Sequence, residues 1–223
     1  MKKGLTELVF IMDRSGSMTG LESDTIGGFN SLIKKQRRQE GEAIVTTVLF
    51  DDRYEILHDR FDLKAVKEMT ENEYYTRGST ALLDAMGSTI QKTVNAQKHL
   101  PEDERAEKVI FVIITDGYEN SSCEYTYSKV RNMVEREQNR NGWEFMFLGA
   151  NMDAISEGAR IGIRADRAVS YCCDEEGTKL NYKIVGEAIC SMRSEKYGGG
   201  PSDDWKKEIE EDFKRRGKKN INK

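Results

Sequence analysis

Apolar and polar positions follow two rhythms along this chain. Nearly continuous apolar blocks at residues 5–12 ("LTELVFIM"), 43–50 ("AIVTTVLF"), 108–115 ("KVIFVIIT") and 143–149 ("WEFMFLG") predict buried strands. Residues 108–115 have no polar face, as a central parallel strand covered on both sides requires. Between the blocks the period lengthens to that of a helix. Ile26, Phe29, Leu32 and Ile33 share one face, as do Leu82, Leu83, Met86, Ile90 and Val94 within residues 80–99, and Tyr127, Val130 and Val134 further on. The first helix is expected to run through "KKQRRQE" to a stop at Gly41.

Asp51 and Asp52 mark a tight turn, and the alternating "RYEILHDRF" after it predicts an edge strand antiparallel to its predecessor. Residues 151–162 read as a short helix and "AVSYCC" as a last strand. Strand and helix thus alternate. The fold class is α/β: a Rossmann-like, doubly wound, mostly parallel sheet of about six strands, one of them an antiparallel edge, with helices on both faces. At Asp174 the pattern changes, so residues 1–173 are assigned to this domain and 174–223 to a helical extension. The extension holds a helix over 175–192, a linker at "GGGP" (198–201), an apolar stripe of Trp205, Ile209 and Phe213, and a basic end. The stripe is read as packing against the parent domain, with docking into a partner's groove as the alternative.

Composition narrows the functional classes. A chain of 223 residues with 37% hydrophobic content suffices for one full-sized α/β core. Charged residues make up 33%, but the net charge is only -4, so no whole-molecule field favours nucleic acid or an anionic membrane. No apolar run approaches the ~20 residues of a membrane span, and Asp13 and Arg14 cut short the N-terminal apolar stretch, unlike a signal peptide. Cys123, Cys172, Cys173 and Cys190 lack C-x-x-C pairing, so reduced thiols in the cytoplasm are expected, with a redox role for the adjacent pair as the alternative. His58 and His99 lie far apart and are expected to be solvated or satisfied within the fold rather than metal ligands.

In open parallel sheets, ligands bind beyond the carboxyl ends of the strands, where the topology reverses. Three polar clusters fall on such loops: "DRSGS" after the first strand, "RGST" before the helix at 80, and "TDG" after the central strand. If the first and central strands are neighbours, Asp13, Ser15, Ser17, Thr80 and Asp116 share one neighbourhood. Such an all-oxygen set suits a hard divalent cation, Mg²⁺ in the first place, with Mn²⁺ or Ca²⁺ as substitutes. Two carboxylates do not saturate the ion, which keeps an affinity for an anionic oxygen from elsewhere. Asp13 and Ser15 could instead cap the following helix, and Asp116-Gly117 could be only a tight turn; neither reading predicts the other loops.

"DRSGSM" resembles the D-x-S-x-S of the von Willebrand factor A (VWA) domain, the integrin I-domain relative, where it forms the metal-ion-dependent adhesion site (MIDAS). "GSTALLDAM" is similar to the segment that provides the family's threonine, and "VIITDGYEN" to the one that provides its distal aspartate. The resemblance covers roughly residues 4–172 and implies that Asp13, Ser15, Ser17, Thr80 and Asp116 are the metal site. It also implies protein binding without catalysis, through a partner's carboxylate, within an intracellular assembly that sometimes includes an AAA-type ATPase. In the family the threonine loop can shift between closed and ligand-ready arrangements, and Gly78 and Gly117 flank the site here. Met18, Arg77, Gly117 and Tyr118 adjoin the candidate ligands and are taken as ligand-binding neighbours; Arg77 stands where the family often has a small residue.

Two other classes remain open. An enzyme of phosphoryl chemistry would also use a carboxylate after the first strand, but aspartate-nucleophile phosphatases need a second acid two residues on, where this chain has Ser15. No G-x-x-x-x-G-K-[ST] phosphate loop is present. A nucleic-acid scaffold would use the last ten residues, which hold six basic groups and no acid; a solvated end is the commoner reading.

Overall fold

A computed structural model describes residues 1–194 and 204–220, with the side chains of 217–220 left out. The "GGGP" segment therefore lies outside the described residues. The chain runs β1 (Lys2–Asp13), α1 (Glu22–Gln36), β2 (Glu42–Phe50), β3 (Tyr54–Asp62), α2 (Leu82–His99), β4 (Ala106–Thr115), α3 (Tyr127–Asn141), β5 (Glu144–Ala150), α4 (Ala154–Arg160), β6 (Ala168–Tyr171), α5 (Glu175–Ser194) and α6 (Lys207–Asn220).

One six-stranded sheet has the order β3-β2-β1-β4-β5-β6. All neighbours are parallel except β2 and β3, which pair antiparallel at the edge with register shifts on either side of Thr47. The strand order reverses between β1 and β4, so a crevice opens where Asp13 and Thr115 end their strands.

Alternation along the strands divides the core into two layers. Leu8, Phe10 and Met12 of β1, with Ile110, Val112 and Ile114 of β4, face α1, α5 and α6. Val9, Ile11, Val109, Phe111 and Ile113 face α2, α3 and α4. Successive strand side chains point to opposite faces, and both faces are covered, which is why β4 is almost wholly apolar from Val109 to Ile114.

Several boundaries differ from the sequence reading for local reasons. Helix α1 ends at Gln36, short of Gly41: the next amides, of Arg38 and Gln39, donate three residues back to the Lys35 and Gln36 carbonyls at 3.1 Å each, which tightens the chain out of the α-helical ladder. Strand β6 stops at Tyr171, before the cysteine pair; the Cys172 carbonyl accepts from Asp174 N at 3.0 Å and turns the chain into α5. Helix α2 starts at Leu82, leaving Thr80 and Ala81 in the preceding loop.

Residues 175–194, set apart in the sequence as an extension, share the α1-side core through Tyr182, Val185, Ile189 and Met192. Helix α6 lies against β6: Ile209 is buried, the Trp205 indole donates to the Asp166 carbonyl at 2.8 Å, and Lys206 donates to the carbonyls of Ala165 and Ala168. The stripe thus packs on the parent sheet through Ile209, with Trp205 and Phe213 half-buried. Among the described residues no helix is long and apolar enough to cross a membrane.

Candidate metal centre

The site grows from the last residue of β1. Asp13 is 1% exposed, and its carboxylate is held from two sides: Oδ1 accepts from Ser15 N at 2.7 Å and Oδ2 from the Thr115 hydroxyl at 2.5 Å. The Tyr74 hydroxyl donates to the Asp13 carbonyl at 2.6 Å. After Asp13 the chain makes a single 3₁₀ turn, Gly16–Met18, which brings Ser15 Oγ and Ser17 Oγ to 3.0 Å of each other. The Ser17 hydroxyl then donates to Asp116 Oδ1 at 2.6 Å, joining the β1 and β4 loops.

Thr80 enters from the third loop. Its N–H donates to Asn120 Oδ1 and its carbonyl accepts from Asn120 N, both at 3.0 Å, which ties it to the segment after β4. Gly117 marks the convergence: a Cβ there would lie 2.7 Å from Thr80 Oγ1 and 3.3 Å from Ser17 Oγ, so any side chain at this position would displace a hydroxyl. Asp13, Ser15, Ser17, Thr80 and Asp116 are therefore gathered at one point of the sheet edge. Asp13, Ser15 and Thr80 are buried, Asp116 is half-buried and Ser17 is exposed, so the cluster opens to solvent at Ser17.

Electrostatics fit a cation at this point. Burial pushes the Asp13 carboxyl up to about 6, although hydrogen bonds from Thr115 and Ser15 oppose the shift and the Asp116 charge adds to it. Burial likewise raises Asp116, against hydrogen bonds from Ser17 and Cys173. Arg14, next to Asp13 in the chain, pairs with Asp51 and Glu55 instead, as does Arg77. A positive charge between Asp13 and Asp116 would favour ionisation of both. Three hydroxyls and two carboxylates form a hard-cation donor set. Among the described residues, no group of three or more His, Cys, Asp or Glu side chains is placed to hold a metal ion.

The neighbouring residues divide. Met18 is turned into the α1-side core and is 1% exposed, so it does not line the surface as expected; its thioether is apolar and the 3₁₀ turn points it inward. Tyr118 is 55% exposed beside the cluster. Arg77 is committed to Asp51, Tyr75 and Glu55. His58 faces Thr47 at 3.1 Å and His99 the Asn95 carbonyl at 2.7 Å, both away from the site.

Sequence reasoning missed Thr115, Tyr74, Asn120 and Cys173. The Cys173 thiol donates to Asp116 Oδ2 at 3.7 Å, and burial pushes that thiol up to about 12. Thr115 was visible as the first letter of "TDG", at the end of an otherwise apolar strand. Asn120 closes "VIITDGYEN" and Cys173 belongs to the adjacent cysteine pair, but neither was assigned to the site, and nothing local marked Tyr74.

No protein-family model and no curated protein matches the chain. Solved structures do. The vWF domain of the type V pili tip protein Mfa5 from Porphyromonas gingivalis gives a TM-score of 0.59 at 10% identity, covering 85% of this chain and 96% of that one. Manganese-loaded TRAP protein of Plasmodium vivax gives 0.56 at 18% identity, over 81% and 73%. Proximal thread matrix protein 1 from the mussel byssus, in a structure with a zinc-occupied MIDAS motif, gives 0.55 at 16% identity, over 83% of this chain and 46% of that one. The chain thus spans less than half the length of the mussel protein. Its fold is VWA-like: a mixed α/β sheet with one antiparallel edge strand and helices around it.

Proposed function

We propose that this protein is a metal-dependent protein-binding module with an intact MIDAS and no catalytic activity. Asp13, Ser15, Ser17, Thr80 and Asp116 would hold one divalent ion, Mg²⁺ in the first place, and Mn²⁺ or Ca²⁺ in its stead. The ion supplies a positive charge that accepts an anionic oxygen from outside. The carrying observation is the convergence of oxygen side chains from three loops at the switch point, read from the 2.6 Å Ser17–Asp116 hydrogen bond and the contact of Gly117 with Thr80. Two neighbouring structures carry manganese or zinc, which supports a divalent ion here.

The chain's own residues do the rest. Thr115 and Ser15 orient the Asp13 carboxylate, Ser17 orients Asp116, and the exposed Ser17 side leaves an approach for a carboxylate of a protein partner. We place the partner in a cytoplasmic multiprotein assembly, of the kind that includes AAA-type ATPases.

Isothermal titration of Mg²⁺ or Mn²⁺ into metal-free protein tests this reading. One site is expected in the wild type and none in Asp13→Ala. Unchanged binding in the variant, or none in the wild type, would refute it.

A further inference from the structure

Beside the metal residues lies a charged cluster that the function above does not use. The Arg14 side chain is completely buried, and so is that of Asp51 in the turn between β2 and β3. Asp51 Oδ2 accepts from Arg14 Nε at 3.1 Å and from Arg77 Nε at 2.6 Å. Arg14 reaches on to Glu55 at 2.5 Å. Both guanidinium groups lie over the Tyr75 ring, at 5.3 and 5.2 Å from its centroid, and Arg77 Nη1 donates to the Tyr75 hydroxyl at 3.0 Å.

The backbone runs through the same residues. Arg77 N donates to the Arg14 carbonyl at 2.8 Å, and Gly16 N to the Gly78 carbonyl at 3.1 Å. Ala81 N donates to the Asp51 carbonyl at 2.9 Å. Thr80 is thereby held from both sides by one residue: the Asp51 side chain grips Arg77 before it, and the Asp51 carbonyl grips Ala81 after it.

We infer that Asp51, with Arg14 and Arg77, is a positioning cluster for the metal site, presetting the Thr80 loop against the Asp13–Ser17 turn. The inference rests on the metal reading above and assigns a role to Arg77. The Arg77 guanidinium is engaged by Asp51, Tyr75 and Glu55, and this engagement ties it to the loop. A buried ion pair of this kind holds its geometry because losing one partner leaves an uncompensated charge. Outer partners that orient metal ligands typically change metal affinity about 10- to 100-fold when removed.

The sign of the effect separates positioning from simple charge. Removing a positive Arg77 near a cation site should tighten cation binding by Coulomb's law, whereas loss of positioning weakens it. The test is Arg77→Gln, which leaves the Arg14–Asp51 pair in place, with Arg77→Lys carrying the same readouts should the first variant not fold. Mn²⁺ affinity is expected to fall about tenfold, and amide exchange at Ala81 to quicken, in a cooperatively unfolding protein. A folded variant with wild-type or tighter Mn²⁺ binding and wild-type Ala81 exchange would overturn the inference. If the wild type bound no Mn²⁺, the metal reading would fail by itself, and the Ala81 exchange rate would still decide whether Arg77 braces the loop.

Discussion

Ser17 Oγ donates to Asp116 Oδ1 at 2.6 Å, across a sequence separation of 99 residues. This bond closes the gap between the two strands that flank the topological switch point, and Ser17 is exposed while Asp116 is half-buried. Ser17→Ala should therefore leave thermal stability nearly unchanged and weaken Mn²⁺ binding about tenfold or more. In the wild type, Mn²⁺ at about 100 times its dissociation constant should add about 2.7 kcal/mol of stability, and thermal unfolding with and without a chelator measures it.

Gly117 leaves space for two hydroxyls. An alanine Cβ would lie 2.7 Å from Thr80 Oγ1 and 3.3 Å from Ser17 Oγ, so one of them must move. Gly117→Ala is expected to reduce divalent-ion affinity more than it reduces stability. Titration calorimetry paired with denaturant unfolding separates the two, and a variant with wild-type affinity would contradict the assigned convergence.

Asp13 makes the metal-free protein sensitive to pH. Its carboxyl is raised from 3.8 to about 6, chiefly by burial. The folded state then binds more protons than the unfolded state between these values, so this group's contribution is fully present below about 4 and is lost as pH rises through about 6. Relative to Asp13→Asn, chelator-treated wild type should lose up to about 3 kcal/mol between about pH 4 and about pH 7. Parallel pH profiles for the two proteins would refute this. Mn²⁺ binding should weaken as pH falls through the same window, since the proton competes for the carboxylate.

Gly28 of α1 lies against Tyr182 of α5, where a Cβ would come within 2.3 Å of the ring. Gly28→Ala should force the helices apart and cost about 1–3 kcal/mol or more, despite the better helix propensity of alanine. Denaturant unfolding checks this. A stabilised variant would mean that α5 is not packed on α1 in this way.

The thiols should differ in reactivity. Cys123 is exposed, whereas the half-buried Cys173 is pushed up to about 12 by burial and the neighbouring Asp116 charge. Iodoacetamide at about pH 8 should alkylate Cys123 well before Cys173, because the thiolate is the nucleophile. Peptide mapping by mass spectrometry reads the order.

Much of the architecture was legible. The block at 108–115 announced a central strand by having no polar face, and it is β4, next to β1. The alternation of "RYEILHDRF" announced the antiparallel edge, β3. Helix ends were less legible: α1 stops at Gln36, before the Gly41 expected as its stop, as the backbone tightens to bonds three residues back. Met18 looked like part of the docking surface by adjacency, but the turn after Ser15 sends it into the core.

By itself the sequence determined which segments are strands and helices and which oxygen-bearing residues stand at strand ends. Those properties depend on the spacing of apolar side chains over one or two turns, because the burial of a face is a local periodicity. Tertiary structure decided what orders these residues: Thr115 and Tyr74 on Asp13, Asn120 on Thr80, and the Arg14–Asp51–Arg77 cluster between two loops. Hydrogen bonds are short and directional, so which distant groups meet is set by strand order and loop closure, and no short window of sequence carries that information.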